Sequence, residues 1–354
     1  MAVPIGKELD RLFPRYLSES AQAPIWCITP RIDRCIHRFY DTSAISPSGR
    51  YVALTRLPYE DKLPTPGDPA EITMVDLLQG ATQIVANTRG WDTQLGAQAQ
   101  WGIDDHSLFF NDVETTTWRP FGVRLDPLTG ARKRLDGPVY MISPNGKLAA
   151  SACLLRTART QAGYGVIVPE AHVPKNPMAA NDDGIYLTDT QTGVCRMLIS
   201  FAEILERARP AFDPDEFING SLYGFHVKWN PQGERLMFVM RYKSTDRRWP
   251  FANVITMKPD GTDVTVALHW QIWRFGGHHP NWCPDGKRIL MNLKPDGKNM
   301  HFVTFDYDGN NLELQAKKCE ARPPYSSRRA KGQKNSRATT EFPEVPDSRD
   351  AEQC

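Results

Sequence analysis

Two histidines stand at matching places in the sequence and could share a metal ion. His226 lies three residues before the tryptophan of a Trp-Asn-Pro-Gln-Gly turn, and His279 lies three residues before the tryptophan of Trp-Cys-Pro-Asp-Gly. Imidazole nitrogens, with a thiolate as a further ligand, suit zinc or manganese. We therefore predict a divalent metal, zinc or manganese, bound by His226 and His279, with His278 and Cys283 as further ligands. The alternative is a set of hydrogen-bonded histidines that line a channel and hold no metal.

Two tyrosines are candidates for proton transfer. Tyr164 is flanked by Gly163 and Gly165, and Tyr223 lies three residues before His226. A tyrosine close to a cation can act as a general acid or base. Tyr164 could also do no more than anchor a loop by burying its ring.

Arginines and one tryptophan are candidates for recognition of an anionic ligand. Arg119 follows a tryptophan, Arg241 comes at the end of an apolar run, and Trp249 follows two arginines. A guanidinium binds a carboxylate with two hydrogen bonds, and an adjacent aromatic ring can stack on a sugar. Each arginine could equally be a solvated charge on a loop.

A repeated pair of turns predicts the elements that carry these residues. A turn of the form x-Pro-x-Gly, followed by an apolar run, occurs four times, and a degenerate copy at residues 102–105 gives a fifth. Each copy is followed by an alternating strand and a turn that ends in glycine, at positions 80, 130, 193, 261 and 309. Evenly spaced short strands with a turn motif in each unit are typical of β-propeller blades. We predict an all-β fold, a β-propeller of four-stranded blades, and consider a β-sandwich the alternative.

The repeat also predicts which side chains meet. The residues before the five first turns are Ile45, Trp101, Ile142, Trp229 and Trp282. Three positions earlier the sequence has Thr42, Gln98, Val139, His226 and His279. Equivalent positions of successive blades lie on a ring around the propeller axis, so the two histidines are expected to face one channel.

The repeats divide the chain into three parts. We predict an N-terminal segment at 1–34, the propeller at 35–315 with five blades, either complete or the visible part of a seven-bladed ring, and a disordered polar tail at 316–354. The third unit carries an insertion at about 155–182, and residues 200–217 carry another. The second begins with Ser200 and has Glu203 three residues on, which indicates a short capped helix.

Composition limits the class of protein. The 354 residues carry a formal net charge of +2, which gives no field for binding nucleic acid. Charges interrupt the first residues where a secretory signal needs an apolar core, and no apolar stretch is long enough to span a membrane. Seven scattered cysteines do not suggest a disulfide framework. We therefore expect a cytoplasmic protein, a monomer, without a nucleic-acid or membrane partner.

Three segments together resemble a known family. HHPNWCPDG, YGFHVKWNPQG and GAQAQWGIDDHSLFFND are similar to segments of the β-propeller polysaccharide lyases of the ulvan lyase type, and more distantly of oligogalacturonate lyases and TolB-like propellers. The resemblance covers residues 35–315. It implies β-elimination at a uronic acid in an anionic polysaccharide or oligosaccharide, in which a cation neutralises the carboxylate and His or Tyr side chains move the protons.

Carried onto this sequence, the resemblance implies catalytic roles for Tyr164 and Tyr223 and matches His226 and His279 to the metal-holding blades. We expect Arg119 to be catalytic as well. The sequence departs from the family where histidines are expected, because this chain has Gln98, Gln100 and Arg119 in those segments. We expect the two glutamines, with Arg241 and Trp249, to bind substrate. The departures favour an alternative function, a diverged TolB-like propeller that binds a glycan or a protein without catalysis.

Overall fold

The computed structural model describes residues 6–16, 23–175, 178–244 and 251–315. These residues form five four-stranded antiparallel sheets, each built from four consecutive strands. The strands, in chain order, are β1 (Cys35–Ile36), β2 (Tyr51–Arg56), β3 (Ala70–Asp76) and β4 (Ala81–Thr88) in blade 1; β5 (Gln100–Trp101), β6 (Leu108–Glu114), β7 (Arg119–Leu125) and β8 (Arg132–Leu135) in blade 2; β9 (Met141–Ile142), β10 (Leu148–Ala152), β11 (Gly184–Asp189) and β12 (Cys195–Ser200) in blade 3; β13 (Gly220–Trp229), β14 (Leu236–Ser244), β15 (Phe251–Met257) and β16 (Thr265–Leu268) in blade 4; and β17 (Gly277–Trp282), β18 (Arg288–Leu293), β19 (His301–Asp306) and β20 (Glu313–Leu314) in blade 5. The all-β propeller prediction is confirmed, with five blades.

The two repeated turns occupy fixed places in every blade. The x-Pro-x-Gly turn joins the first strand to the second, and the glycine-ending turn joins the third to the fourth. Glycine takes a positive φ in both, as at Gly233 (72°) and Gly261 (83°) of blade 4, a conformation that costs glycine little. Because neighbouring strands are antiparallel, both turns lie on one side of the propeller, the turn face. The other connections lie on the opposite side, the loop face.

Tryptophans before the first turns connect neighbouring blades. The indole Nε1 of Trp101 donates to the backbone oxygen of Ala44 at 2.9 Å, that of Trp229 to Met141 at 3.2 Å, and that of Trp282 to Lys228 at 3.4 Å. Each acceptor belongs to the preceding blade. The repeated tryptophan therefore satisfies a polar group between two sheets while its ring fills the space between them.

The N-terminal segment packs on blade 1. Its helix α1 (Gly6–Leu12) is followed by Phe13, which is buried against Val52, Leu54 and Val75 of β2 and β3. The described part of the segment thus covers one face of the first sheet. Residues 316–354, for which we predict a disordered tail, lie outside the described residues.

Both insertions lie on the loop face. The first connects β10 to β11 and contains 3₁₀ helices at Thr157–Arg159 and Glu170–His172. An ion pair of 3.1 Å between Arg156 and Asp183 joins its two ends. The second contains the predicted helix, α2 (Phe201–Arg207), in which Ser200 and Glu203 form a capping box. A third short helix, α3 (Trp270–Trp273), follows β16. No helix in the described part of the chain is long and apolar enough to cross a membrane.

Blade 1 sends a loop into the centre of the ring. Ile36 pairs with Thr55, and the next residue of the first strand to pair, Ile45, pairs with Val52. Residues 37–44 therefore stand opposite only residues 53 and 54, and they leave the sheet. This segment, the central loop, reaches blades 3, 4 and 5, because Arg38 lies over the ring of Tyr140 at 4.8 Å and Phe39 lies against His226 and His279.

Candidate functional site

Three of the five equivalent positions near the ring centre share an unusual backbone. Gln98, His226 and His279 have φ values of 57°, 52° and 62°. In blades 4 and 5 the strand register shifts at these positions, between Phe225 and Lys228 and between His278 and Asn281. A bulge with one residue at positive φ re-aims a side chain, and non-glycine residues adopt it at a cost. Three of the five positions that the repeat aligns therefore have the same backbone conformation.

His226 lies in an aromatic enclosure near the centre. Its Nδ1 forms a short hydrogen bond with the hydroxyl of Tyr140. The ring of Phe39 from the central loop stacks on its imidazole at 5.2 Å, and the ring of Tyr164 lies 6.1 Å away. Burial lowers the pKa of His226 well below its ordinary value, and the charges of Lys228 and Arg241 lower it further. The imidazole is therefore neutral at physiological pH.

A cavity beside this histidine, called the pocket below, has a volume of about 10 Å³, which is room for about one water molecule. Its polar walls are His226, Tyr140, Tyr164, Gln98 and Thr157, and its apolar walls include Leu95, Ala152, Leu154 and Phe225. The side-chain oxygen of Gln98 is buried and has no hydrogen-bond partner among the described residues. An unpaired buried oxygen carries a free-energy cost, and a donor on a bound molecule would remove it.

Tyr164 is brought into the pocket by the insertion of blade 3. Its ring packs edge-on against Phe225 at 5.0 Å, and only 7% of the residue is exposed. Burial raises its pKa, the nearby carboxylate of Asp92 adds to this effect, and Arg241 opposes it. Tyr164 is therefore a protonated phenol at physiological pH. It can donate a hydrogen bond or a proton within the pocket.

A buried cluster of charges ties the central loop to blade 4. The carboxylate of Asp41 lies 2.6 Å from Arg38 and 3.0 Å from the ammonium of Lys228. Lys228 also donates to the hydroxyl of Tyr40 at 3.2 Å and to the backbone oxygen of Pro280 at 2.9 Å. Burial alone would raise the pKa of Asp41, but the charges of Arg38 and Lys228 hold it below its ordinary value. The sequence repeat does not predict this cluster, because Arg38 and Asp41 have no counterparts in the other blades.

The predicted metal ligands do not form a ligand set. Phe39 contacts both predicted imidazoles, since its ring lies 5.2 Å from that of His226 and 5.4 Å from that of His279. The Nδ1 of His279 is 2.8 Å from the Nδ1 of His278, while the Nδ1 of His226 is taken by Tyr140. Within the described ranges no group of three or more His, Cys, Asp or Glu residues could hold a metal ion.

Cys283 lies apart from the histidines in the first turn of blade 5. Burial raises the pKa of its thiol, with a further contribution from Asp285 in the same turn. A metal ligand would have to be the thiolate, which these surroundings disfavour. The donor groups present therefore do not fit the predicted zinc or manganese site.

Arg241 lies next to the pocket. Its guanidinium packs over the ring of Phe225 at 4.0 Å and donates to the backbone oxygen of Thr160, four residues before Tyr164, at 3.4 Å. Tyr223 is buried on the same sheet and faces Arg241 across the strand pair β13–β14. Of the two, Arg241 is the one whose charge acts on both His226 and Tyr164.

The remaining predicted residues have other positions. Gln100 uses its amide for the backbone, since it donates to the oxygens of Gln98 and Tyr140 and accepts from the nitrogen of Ile142. Arg119 is exposed at the start of β7 and donates to the oxygen of Asp136 at 3.4 Å. Trp249 lies outside the described residues.

The fold is shared with known propellers. No protein-family profile matches the chain, and no curated protein matches it in sequence. Among solved structures, oligogalacturonate lyase from Vibrio parahaemolyticus is similar over 85% of this chain and 71% of its own, with a TM-score of 0.54 and 12% identity. TolB from Acinetobacter baumannii is similar over 83% of this chain, with a TM-score of 0.44 and 14% identity. An oligogalacturonate lyase in complex with manganese is similar over 85% of this chain and 83% of its own, with a TM-score of 0.39 and 13% identity.

The chain spans only 57% of the TolB chain. Structural neighbours thus include oligogalacturonate lyase and TolB-like propellers, at low identity. At these identities the likeness establishes the propeller fold alone.

Proposed function

We propose that the protein is a lyase that cleaves uronic-acid-containing oligosaccharides by β-elimination. The observation that carries the proposal is the arrangement of Tyr140, His226 and Tyr164, in which a neutral imidazole is oriented by one phenol and faces a second phenol across a pocket. The likeness in fold to an oligogalacturonate lyase suggests oligogalacturonate as the first substrate to test.

β-Elimination needs a base for the proton at C5, a cation near the carboxylate and an acid for the leaving oxygen. If the Nδ1–H of His226 is donated to Tyr140, its Nε2 has a free lone pair and is the base. Tyr164, kept protonated by burial, is the acid. Arg241 supplies the positive charge next to the pocket. No step passes through a metal ion, because the donor groups do not form a ligand set.

The test is the release of unsaturated products, followed by their ultraviolet absorbance, from oligogalacturonate, ulvan, alginate and glycosaminoglycans. We expect product from at least one uronate polymer, and His226→Gln and Tyr164→Phe should each lower turnover by about 100-fold or more. Tyr242→Phe is the matched control, since it removes a buried phenol from the neighbouring strand of blade 4, outside the pocket lining. Absence of product across the whole panel would overturn the proposal.

A second function, binding of a glycan or protein without catalysis, is favoured by one observation. The central loop places Phe39 against both His226 and His279 and buries Arg38 and Asp41 at the ring centre, where a long substrate would need open space. Calorimetric titration with the same oligosaccharides separates the two functions. Binding without product, unaffected by Tyr164→Phe, would support the second function and exclude the first.

A further inference from the structure

We propose that Asp92 is a positioning residue that holds Tyr164 in the pocket and releases it when the carboxylate is protonated. The inference rests on the proposed function, because it is the role of Tyr164 as the acid that gives its position importance. Asp92 is in the connection between β4 and β5, so it belongs to neither of the strands that carry His226 or Arg241.

The carboxylate of Asp92 has three backbone partners that divide between its two oxygens. Oδ1 accepts from the nitrogens of Gln94 at 2.9 Å and Leu95 at 2.6 Å, which closes a turn within its own segment. Oδ2 accepts from the nitrogen of Gly165 at 2.9 Å, which is the residue after Tyr164. One oxygen thus builds the turn, and the other holds the insertion.

The partner segment needs such a restraint. Gly163 and Gly165 have φ values of 82° and 93°, and a Cβ at Gly165 would lie 2.4 Å from the backbone oxygen of Leu154. A glycine on each side of the tyrosine leaves the backbone free to move unless other residues restrain it. Thr93 donates to the oxygen of Gly163 at 3.2 Å. Asp92 and Thr93 therefore hold the loop on both sides of Tyr164.

The hold depends on the charge of the carboxylate. Burial raises the pKa of Asp92 to about 7, even though its three N–H partners oppose the shift. The other charged or titratable groups around Asp92 are Tyr164, Arg241 next to Tyr164, and Asp112 of β6. The carboxylate of Asp112 accepts from the nitrogen of Arg89. A proton on Oδ2 converts a charge-assisted hydrogen bond to Gly165 into a weaker neutral one. Because Oδ1 keeps Asp92 buried in its own turn, release of Gly165 removes a bond that lowers the pKa of Asp92. The released loop therefore binds a proton more tightly and should become more populated as the pH falls below about 7.

Hydrogen exchange followed by mass spectrometry on a peptide covering residues 160–168 tests the inference. Asp92→Asn retains an oxygen for Gln94 and Leu95 and, in the orientation that keeps this turn, places an NH₂ group opposite the nitrogen of Gly165. Asp189→Asn is the matched control, because the Oδ1 of Asp189 also accepts from two following nitrogens, those of Gln191 and Thr192, on the turn face.

After correction for intrinsic rates, we expect exchange in wild type to rise about tenfold as the pH is lowered from 8 to 6. Exchange in Asp92→Asn should be high and independent of pH, and Asp189→Asn should behave as wild type.

Flat protection across this pH range in wild type, or unchanged protection in Asp92→Asn, would overturn the inference. If Asp92→Asn does not fold, the change in exchange of the wild-type protein between pH 8 and pH 6 is the test of the inference. Where the lyase assay gives product, Asp92→Asn should lower kcat more than it raises KM and remove a limb near pH 7 from the pH profile. Where the assay gives none, the exchange result still stands, so failure of the proposed function and failure of this inference are distinguishable.

Discussion

The ammonium of Lys228 lies 3.0 Å from Oδ2 of Asp41, and the two side chains are 1% and 0% exposed. They are 187 residues apart in the sequence, and they join the central loop of blade 1 to the first strand of blade 4. A buried charge pair compensates the cost of removing both ions from water only while both are present. This pair, with Arg38, therefore decides whether the central loop can remain in the ring.

Removing one partner of this pair should destabilise the whole propeller. We expect Asp41→Leu to lower the free energy of unfolding by about 3–5 kcal/mol, because it leaves the buried charges of Arg38 and Lys228 uncompensated, whereas Lys228→Met should cost less because Arg38 still pairs with Asp41. Urea denaturation followed by tryptophan fluorescence measures the change. The double variant Asp41→Leu/Lys228→Met should recover part of the loss seen in Asp41→Leu, because it removes one of the two cations that Asp41→Leu leaves uncompensated. Strictly additive losses in the double variant would show that the two charges do not stabilise each other.

The indole hydrogen bonds between blades should contribute separately to stability. Trp101→Phe removes the bond to the oxygen of Ala44, 2.9 Å long, while that oxygen still accepts from the nitrogen of Ala53. The expected loss is about 1 kcal/mol for the hydrogen bond, with a further loss from the smaller ring. Trp282→Phe, whose bond to Lys228 is 3.4 Å long, should lose less of the hydrogen-bond contribution.

Trp118→Phe is the control for these variants, since Trp118 is half-buried and its indole has no hydrogen bond within the described part of the chain. Denaturation midpoints of the three variants give the comparison. Equal losses in Trp101→Phe and Trp118→Phe would mean that the indole nitrogen contributes nothing between blades.

The repeats carry most of the information about the fold. Their turns need proline and a glycine at positive φ, so the five blades and their strand order can be predicted from local residue types. The helix α2 could also be predicted from local residue types, because the side chains of Ser200 and Glu203 each accept a hydrogen bond from the backbone nitrogen of the other residue. The equivalence of His226 and His279 follows from the same periodicity, and the structure gives both the same backbone conformation.

The contents of the ring centre could not be predicted in this way. Lys228 and Tyr40 are 188 residues apart, and the central loop interrupts the repeat where periodic reasoning gives no guidance. The spacing of the repeat predicts two histidines at the same height in the ring, but it does not predict that Phe39 contacts both imidazoles. The residue that holds Tyr164, Asp92, likewise lies in a connection between blades and belongs to no motif.

The neutral imidazole of His226 should make stability depend on pH. Because burial holds the pKa of His226 in the folded state well below the ordinary value of 6.5, the unfolded chain binds a proton that the folded protein does not. The free energy of unfolding should therefore be highest above pH 6.5 and fall as the pH falls below it, by at most about 1.4 kcal/mol per pH unit. Asp92 has the opposite effect on the free energy of unfolding. Its pKa is raised to about 7 in the folded protein, so the folded state binds a proton at a pH where the unfolded chain does not, and stability rises as the pH falls below 7.

The variant His226→Gln separates these two contributions, because it removes the first and leaves the second. Urea denaturation at pH 7.5, 6.5 and 5.5 should show that wild type loses about 1 kcal/mol per pH unit more than His226→Gln below pH 6.5. His106→Gln is the control, since His106 is an exposed histidine whose side chain is 60% accessible beside Asp126. If the wild-type and His226→Gln curves run parallel, the imidazole titrates equally in both states. It would then not be the neutral base that the proposed elimination requires.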